Sequence, residues 1–109
     1  MVYLSNAFSL NMINWDNVMC CLGLKVKKLD IDAVKQLLKD GFTSAVGHQD
    51  LANILTNMLG IDVPYNRATV QLGLGDVLVV AQYVGSRLAE GSTALPPDAK
   101  IIFLAVTIG

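Results

Sequence analysis

The stretch "KIIFLAVTI", residues 100–108, decides the fold. One lysine opens it and one threonine interrupts it; every other residue is apolar, and several are β-branched. A run of this length and composition is predicted to be a strand with both faces covered, central in a sheet. Such a strand needs neighbours on both edges. "DVLVVAQYV" (76–84) is one candidate. "RATVQLG" (67–73) precedes it, separated by Leu74-Gly75, and the two runs read as a β-hairpin. "LGLKVKKL" (22–29) alternates Leu22, Leu24 and Val26 with Gly23, Lys25 and Lys27, the pattern of a half-buried strand. "VYLSNAF" (2–8) reads as a short strand with Asn6 near its end. "SLNMINWDNVMC" (9–20) and "GSTALPPDA" (91–99) read as loops.

Two helices complete the inventory. "IDAVKQLLKD" is capped by Asp30 or Asp32, ended by Gly41, and carries Ile31, Val34, Leu37 and Leu38 at helical spacing. A second helix begins between Thr43 and His48 and ends at Gly60, with Leu51, Ile54, Leu55 and Met58 as its stripe. Both are one-sided. The expected fold is therefore α/β (α+β): a mixed five-stranded sheet with the helices packed on one face. The other face is apolar enough to call for a partner, a second copy of the chain.

Bulk properties agree. The 109 residues suit one domain, 1–109. Apolar residues make up 53% and charged residues 16%, which excludes a disordered chain and favours a covered surface, as in a homodimer. A net charge of −1 disfavours a coat for long nucleic acid, yet leaves room for a small anion in a local pocket. Cys20 and Cys21 are adjacent, so neither a mutual bridge nor a zinc site is expected. With one histidine and no Cys/His cluster, no metal and no cofactor is expected. Neither a signal peptide nor a run long enough to span a membrane is evident, and a cytoplasmic location is expected.

The single histidine lies in "GFTSAVGHQDLANIL" (41–55), where a loop meets a helix. On an ideal helix His48 stands about 40° from Ala52 and about 20° from Leu55, at the rim where a helix start meets strand ends. Such rims often form ligand crevices. Free N–H groups there favour an anion, Gly47 permits close approach, and Thr43 and Ser44 supply hydroxyls for a cap or a ligand. Two readings stay open: an ordinary packed histidine, or the one side chain suited to proton transfer near neutral pH. The only arginines, Arg67 and Arg87, flank the expected hairpin, and Glu90 follows Arg87 closely. Both arginines read either as solvated edge charges or as phosphate ligands. Asn6 and Ser9 read either as turn residues or as hydrogen-bonding groups for a sugar or phosphate.

Four blocks of the chain together resemble a known family. "YLSNAFS" (3–9), "FTSAVGHQ" (42–49), "NR" (66–67) and "QYVGSRLAEG" (82–91) are similar, in order and spacing, to the viral ring nucleases that act as anti-CRISPR proteins against type III systems. Correspondence is least over residues 11–28. The resemblance implies a homodimer whose substrate is cyclic tetraadenylate, the second messenger of type III CRISPR effectors. It implies metal-independent cutting of that ring into linear diadenylates with 2′,3′-cyclic phosphate ends, which silences the defence. Carried over, His48 would be the general acid, Arg87 would hold phosphate, and Glu90 would position the reacting groups. Asn6, Ser9, Thr43, Ser44, Gly47, Arg67 and Gln82 would line the substrate site; some family members place the comparable glutamine one residue closer to the arginine. The alternatives are a module that sequesters a cyclic oligonucleotide without cutting it, and a structural viral accessory protein.

Overall fold

The computed structural model describes residues 1–109. Along the chain run β1 (Val2–Ser5), β2 (Leu24–Leu29), α1 (Ile31–Leu38), β3 (Thr43–Ala45), α2 (Gln49–Leu59), β4 (Val77–Val84) and β5 (Lys100–Ile108). Two single-turn 3₁₀ helices, Leu10–Met12 and Trp15–Asn17, interrupt the segment after β1. The strands form one mixed sheet in the order β2-β5-β4-β1-β3. The apolar run at 100–108 is an interior strand as expected, antiparallel to β2 on one side and to β4 on the other. The other half is parallel: β1 lies between β4 and β3 and runs with both.

Both helices pack on one face. Val34 and Leu38 of α1, and Leu51, Ala52, Leu55 and Leu59 of α2, share a cluster with Leu4, Leu29, Val79, Ala81 and Phe103 of the sheet. Each buried leucine contributes about 2 kcal/mol relative to exposure, so the apolar stripe of α2 is what fixes the helix to the sheet. Local signals set the ends. Asp30 Oδ1 accepts from the Ala33 N–H (2.7 Å) and starts α1. Gly60, at φ 66°, ends α2 in the left-handed conformation that only glycine adopts without strain.

Three expectations are corrected. Residues 24–29 form a strand but not a half-buried one: on this edge strand Leu24 and Val26 are exposed and only Leu29 is buried. Residues 67–73 do not form a strand with 76–84, because both edges of β4 are already occupied, by β1 and by β5. The segment crosses the second face of the sheet instead, where it buries Val70 and Leu72 against Leu78, Val80 and Val106. Its one bridge is to Ile13, and the Leu72 N–H donates to the Met12 carbonyl (2.7 Å). The alternation that reads as a hairpin strand is thus real, but it serves side-chain burial rather than a ladder. The fifth strand is 43–45, a region assigned to the start of the second helix from the sequence. Asn66 explains this: its Nδ2 donates to the Ser44 carbonyl (2.7 Å) and its N–H to the Val46 carbonyl (2.9 Å), which supports the outer edge of β3.

The second face is therefore covered in large part by the chain's own segments, with Phe8 and Met12 packing beside Val70 and Leu72. The sheet edges are also guarded. β2 carries Lys25, Lys27 and Lys28, and β3 is only three residues long, two features that discourage edge-to-edge pairing. Cys20 and Cys21 are free and exposed. No helix is long and apolar enough to cross a membrane.

The chain leaves β4 at Gly85, whose φ is 152°. A Cβ there would lie 2.7 Å from Ala99 Cβ and 2.8 Å from Ala99 Cα. Gly85→Ala is expected to lower the melting temperature by roughly 5–15 °C, because neither the backbone angle nor the neighbour yields cheaply. Thermal unfolding followed by circular dichroism checks this; an unchanged midpoint would show that 99 and 85 separate freely.

Candidate functional site

Because β1, β3 and β4 are parallel, their carboxyl ends lie along one rim of the sheet. The connection from β3 to β4 passes over β1 and contains α2, so the start of α2 comes to rest above the end of β1. This is the crevice where ligands settle in open α/β sheets. A hollow of about 280 Å³ lies there, lined by Asn6, His48, Leu51, Gln82, Tyr83, Arg87 and Leu88.

His48 is the N-cap of α2, in extended conformation, and its Nδ1 accepts from the Leu51 N–H at 3.3 Å. Histidine is not among the usual capping residues. The bond requires an unprotonated Nδ1, so the ring in this state carries its proton on Nε2 and offers that N–H as a donor. The imidazole is exposed, not packed in the core. Asn6 Oδ1 accepts from the Gly47 N–H (3.2 Å), which joins the end of β1 to the residue before the cap. Arg87 is exposed on the segment after β4. The structure's single salt bridge joins the Met1 ammonium to Asp76 (3.4 Å), so neither guanidinium is paired with a carboxylate. Leu51, Tyr83 and Leu88 form the apolar walls, and the Tyr83 hydroxyl donates to the Ser86 carbonyl. One ring donor, one free guanidinium, two carboxamides and an aromatic wall suit a nucleotide: phosphate on the cation, base against the ring.

The other residues singled out from the sequence lie elsewhere or nearby. Arg67 packs on Gly47, where its Cγ stands 3.6 Å from the position of a Cβ, but it does not line this hollow. Glu90 is exposed and also outside the lining. Ser9 caps the first 3₁₀ helix by accepting from the Asn11 N–H (3.3 Å). Thr43 stands at the opening end of β3, and its hydroxyl contacts Met1 sulfur (3.7 Å). Ser44 is buried and donates to the Pro64 carbonyl (2.6 Å), so its hydroxyl is spent on the fold. No three His, Cys, Asp or Glu side chains converge closely enough to share an ion. Leu51, Tyr83 and Leu88 were not candidates from the sequence. Tyr83 in a strand and Leu51 in a helix stripe read as core, which Leu51 also is, and Leu88 is a lone leucine in the segment after β4.

A family model described as STIV B116-like matches residues 2–99. The chain belongs to the STIV B116-like family. Two relatives of this B116-like protein come from viruses. Uncharacterized protein 26 of Sulfolobus islandicus filamentous virus (isolate Iceland/Hveragerdi) is 39% identical over 69 residues, 62% of this chain and 58% of that protein. Uncharacterized protein ORF117 of Acidianus two-tailed virus is 34% identical over 70 residues, 62% of this chain and 59% of that protein. The chain thus spans somewhat under two thirds of the length of each. Among solved structures, B116 of Sulfolobus turreted icosahedral virus superposes with a TM-score of 0.77 at 25% identity, over 97% of both chains. The B116-like fold is accordingly the mixed sheet with two helices described above, and it belongs to a family of viral proteins.

Proposed function

We propose that this B116-like protein is a metal-independent ring nuclease that cuts cyclic tetraadenylate into linear diadenylates ending in 2′,3′-cyclic phosphates, and so suppresses type III CRISPR immunity. The observation that carries the reading is the meeting of one exposed imidazole and one unpaired guanidinium in a single hollow at the parallel strand ends. The resemblance of four sequence blocks to viral ring nucleases names the substrate.

The nucleophile belongs to the substrate. The ribose 2′-hydroxyl gives up its proton to solvent as its oxygen attacks the adjacent phosphorus in line, the P–O5′ bond breaks, and the 5′-oxygen takes up a proton. His48 supplies that proton. To do so the ring must be imidazolium, and its Nδ1 must then release the Leu51 N–H. At 3.3 Å that cap bond is weak, and a bound phosphodiester favours the charged ring. Arg87 meets the charge that grows on the phosphoryl oxygens. Tyr83, Leu51 and Leu88 offer an adenine an apolar seat, with Asn6 and Gln82 at its edges.

A volume near 280 Å³ falls just below the usual range of a complete small-ligand site and suits one nucleotide unit rather than a four-nucleotide ring. Two hollows brought together by a twofold axis would take the whole ring and cut it at opposite phosphates, which accounts for a diadenylate product. A homodimer is part of the proposal for that reason.

The test is incubation of the protein, in the presence of a chelator, with cyclic tri-, tetra- and hexaadenylate, followed by chromatography and mass analysis. Diadenylate with a cyclic phosphate is expected from the tetramer. Tight retention of intact ring would instead favour the second reading, sequestration without cutting. That reading has one observation in its favour: His48 Nδ1 is occupied as the acceptor of the Leu51 N–H, a structural task that needs no proton transfer. If none of the three rings raised the melting temperature, both readings would fail and a structural accessory role would remain.

A further inference from the structure

The helix that begins at His48 has a second working face. Leu51, Ala52, Leu55 and Leu59 turn toward the sheet. Asp50, Ile54 and Asn57 follow one another at spacings of four and three and so form a separate stripe. Asp50 Oδ2 accepts from the Gly91 N–H at 3.3 Å, and Asn57 Nδ2 donates to the Thr93 carbonyl at 2.9 Å. Between them Ile54 is only 2% exposed, yet it is in neither cluster around the sheet. It borders a small hollow together with Thr93, Ala94 and Leu95. What covers this stripe is therefore the segment that joins β4 to β5.

No backbone–backbone hydrogen bond links that segment to α2; those within it join Ser92 to Ala89 and Ala99 to Pro96. The two side-chain bonds and the seat of Ile54 hold it in place. Arg87 and Glu90 lie on the turn just before Gly91, and His48 lies two residues before Asp50. Asp50 thus bridges the two pieces of chain whose relative placement sets the distance between guanidinium and imidazole.

We propose that Asp50 is a positioning residue for the ring nuclease: by holding the Gly91 N–H it fixes the Arg87–Glu90 turn over His48, with Asn57 as the second tie. The inference rests on the reading of the hollow given above. It adds a residue that makes no contact with the reacting atoms and acts through Arg87. Loss of the tie leaves guanidinium and imidazole intact but no longer aligned, and alignment is a large part of the rate in an in-line displacement.

Two variants and two readouts test this. Asp50→Ala is expected to lower kcat/KM for cyclic tetraadenylate about 10-fold, while Asp50→Asn stays within about threefold of wild type, because the amide oxygen still accepts from Gly91. Both variants remove the negative charge at the helix start, so a role limited to helix stability would penalise them alike. In an Arg87→Ala background, Asp50→Ala is expected to cost less than about twofold, since the two act as one unit. The second readout is independent of turnover: trypsin should cut native Asp50→Ala after Arg87 several times faster than wild type or Asp50→Asn, followed by mass analysis. Equal effects of the two Asp50 variants, full additivity with Arg87→Ala, or unchanged trypsin cutting would overturn the proposal. If wild type leaves the ring intact, the nuclease reading fails by itself, and the trypsin arm still decides whether Asp50 holds the turn.

Discussion

His48→Ala is expected to bind cyclic tetraadenylate about as well as wild type and to cut it roughly 10²–10⁴-fold more slowly, the range spanned by a positioned general acid. Binding survives because the contacts assigned to phosphate and base come from Arg87, Asn6, Gln82 and Tyr83, none of which depends on the imidazole. The alanine variant also removes a helix cap, at about 0.5–1 kcal/mol, since Nδ1 no longer accepts from the Leu51 N–H. A small drop in melting temperature is therefore expected with it. His48→Asn separates the two losses. Asparagine is a better cap than histidine, so its stability should equal or exceed that of wild type, while its amide transfers no proton. Single-turnover rates with saturating protein, measured beside thermal melts, check both variants. Native-rate cutting by His48→Asn would remove the imidazole from the mechanism.

The second large effect is on the substrate side. A cyclic tetraadenylate with hydrogen in place of every 2′-hydroxyl is expected to bind within about tenfold of the natural ring and to remain intact after many turnover times of the natural ring. The attacking oxygen is simply missing, and the positional advantage of a neighbouring hydroxyl, which reaches about 10⁵ M or more in effective concentration, is lost with it. A mechanism in which water attacks predicts the opposite: the deoxy ring would be cut, and the natural ring would end in open phosphates. Chromatography of both digests distinguishes the two.

The sheet was legible where side-chain pattern and ladder coincide. The run at 100–108 announces an interior strand by composition, 77–84 follows from its β-branched run, and 24–29 follows from alternation. It was not legible where they part. Residues 67–73 alternate as a strand does, yet Val70 and Leu72 face inward from a segment with a single bridge, because β1 fills the edge of β4 that a hairpin would need. That substitution is a long-range event: Val2 and Val77 are partners about 75 residues apart, and no local window reports them. Residues 43–45 carry too little pattern to show as a strand, and their support comes from Asn66. At the candidate site, His48, Arg87 and Asn6 stood out as polar groups near element ends and Gln82 through the family resemblance, and the four share one hollow. Tyr83 was hidden by looking like core, Leu51 by being core on its other side, and Leu88 by standing alone in a loop. Asp50 was hidden by looking like an ordinary acidic residue in the first turn of a helix.

The placement of β1 has a bearing on how the chain is made. As the ribosome delivers the protein from its amino end, the first strand emerges with no lasting neighbour: one waits some forty residues downstream and the other some seventy-five. The pairing of β1 with β4 cannot form until Val77 and the residues after it have been made, so the sheet closes late. A topology so rich in distant pairings folds slowly for its size, on the order of milliseconds to seconds, and lends itself to capture by chaperones while synthesis continues.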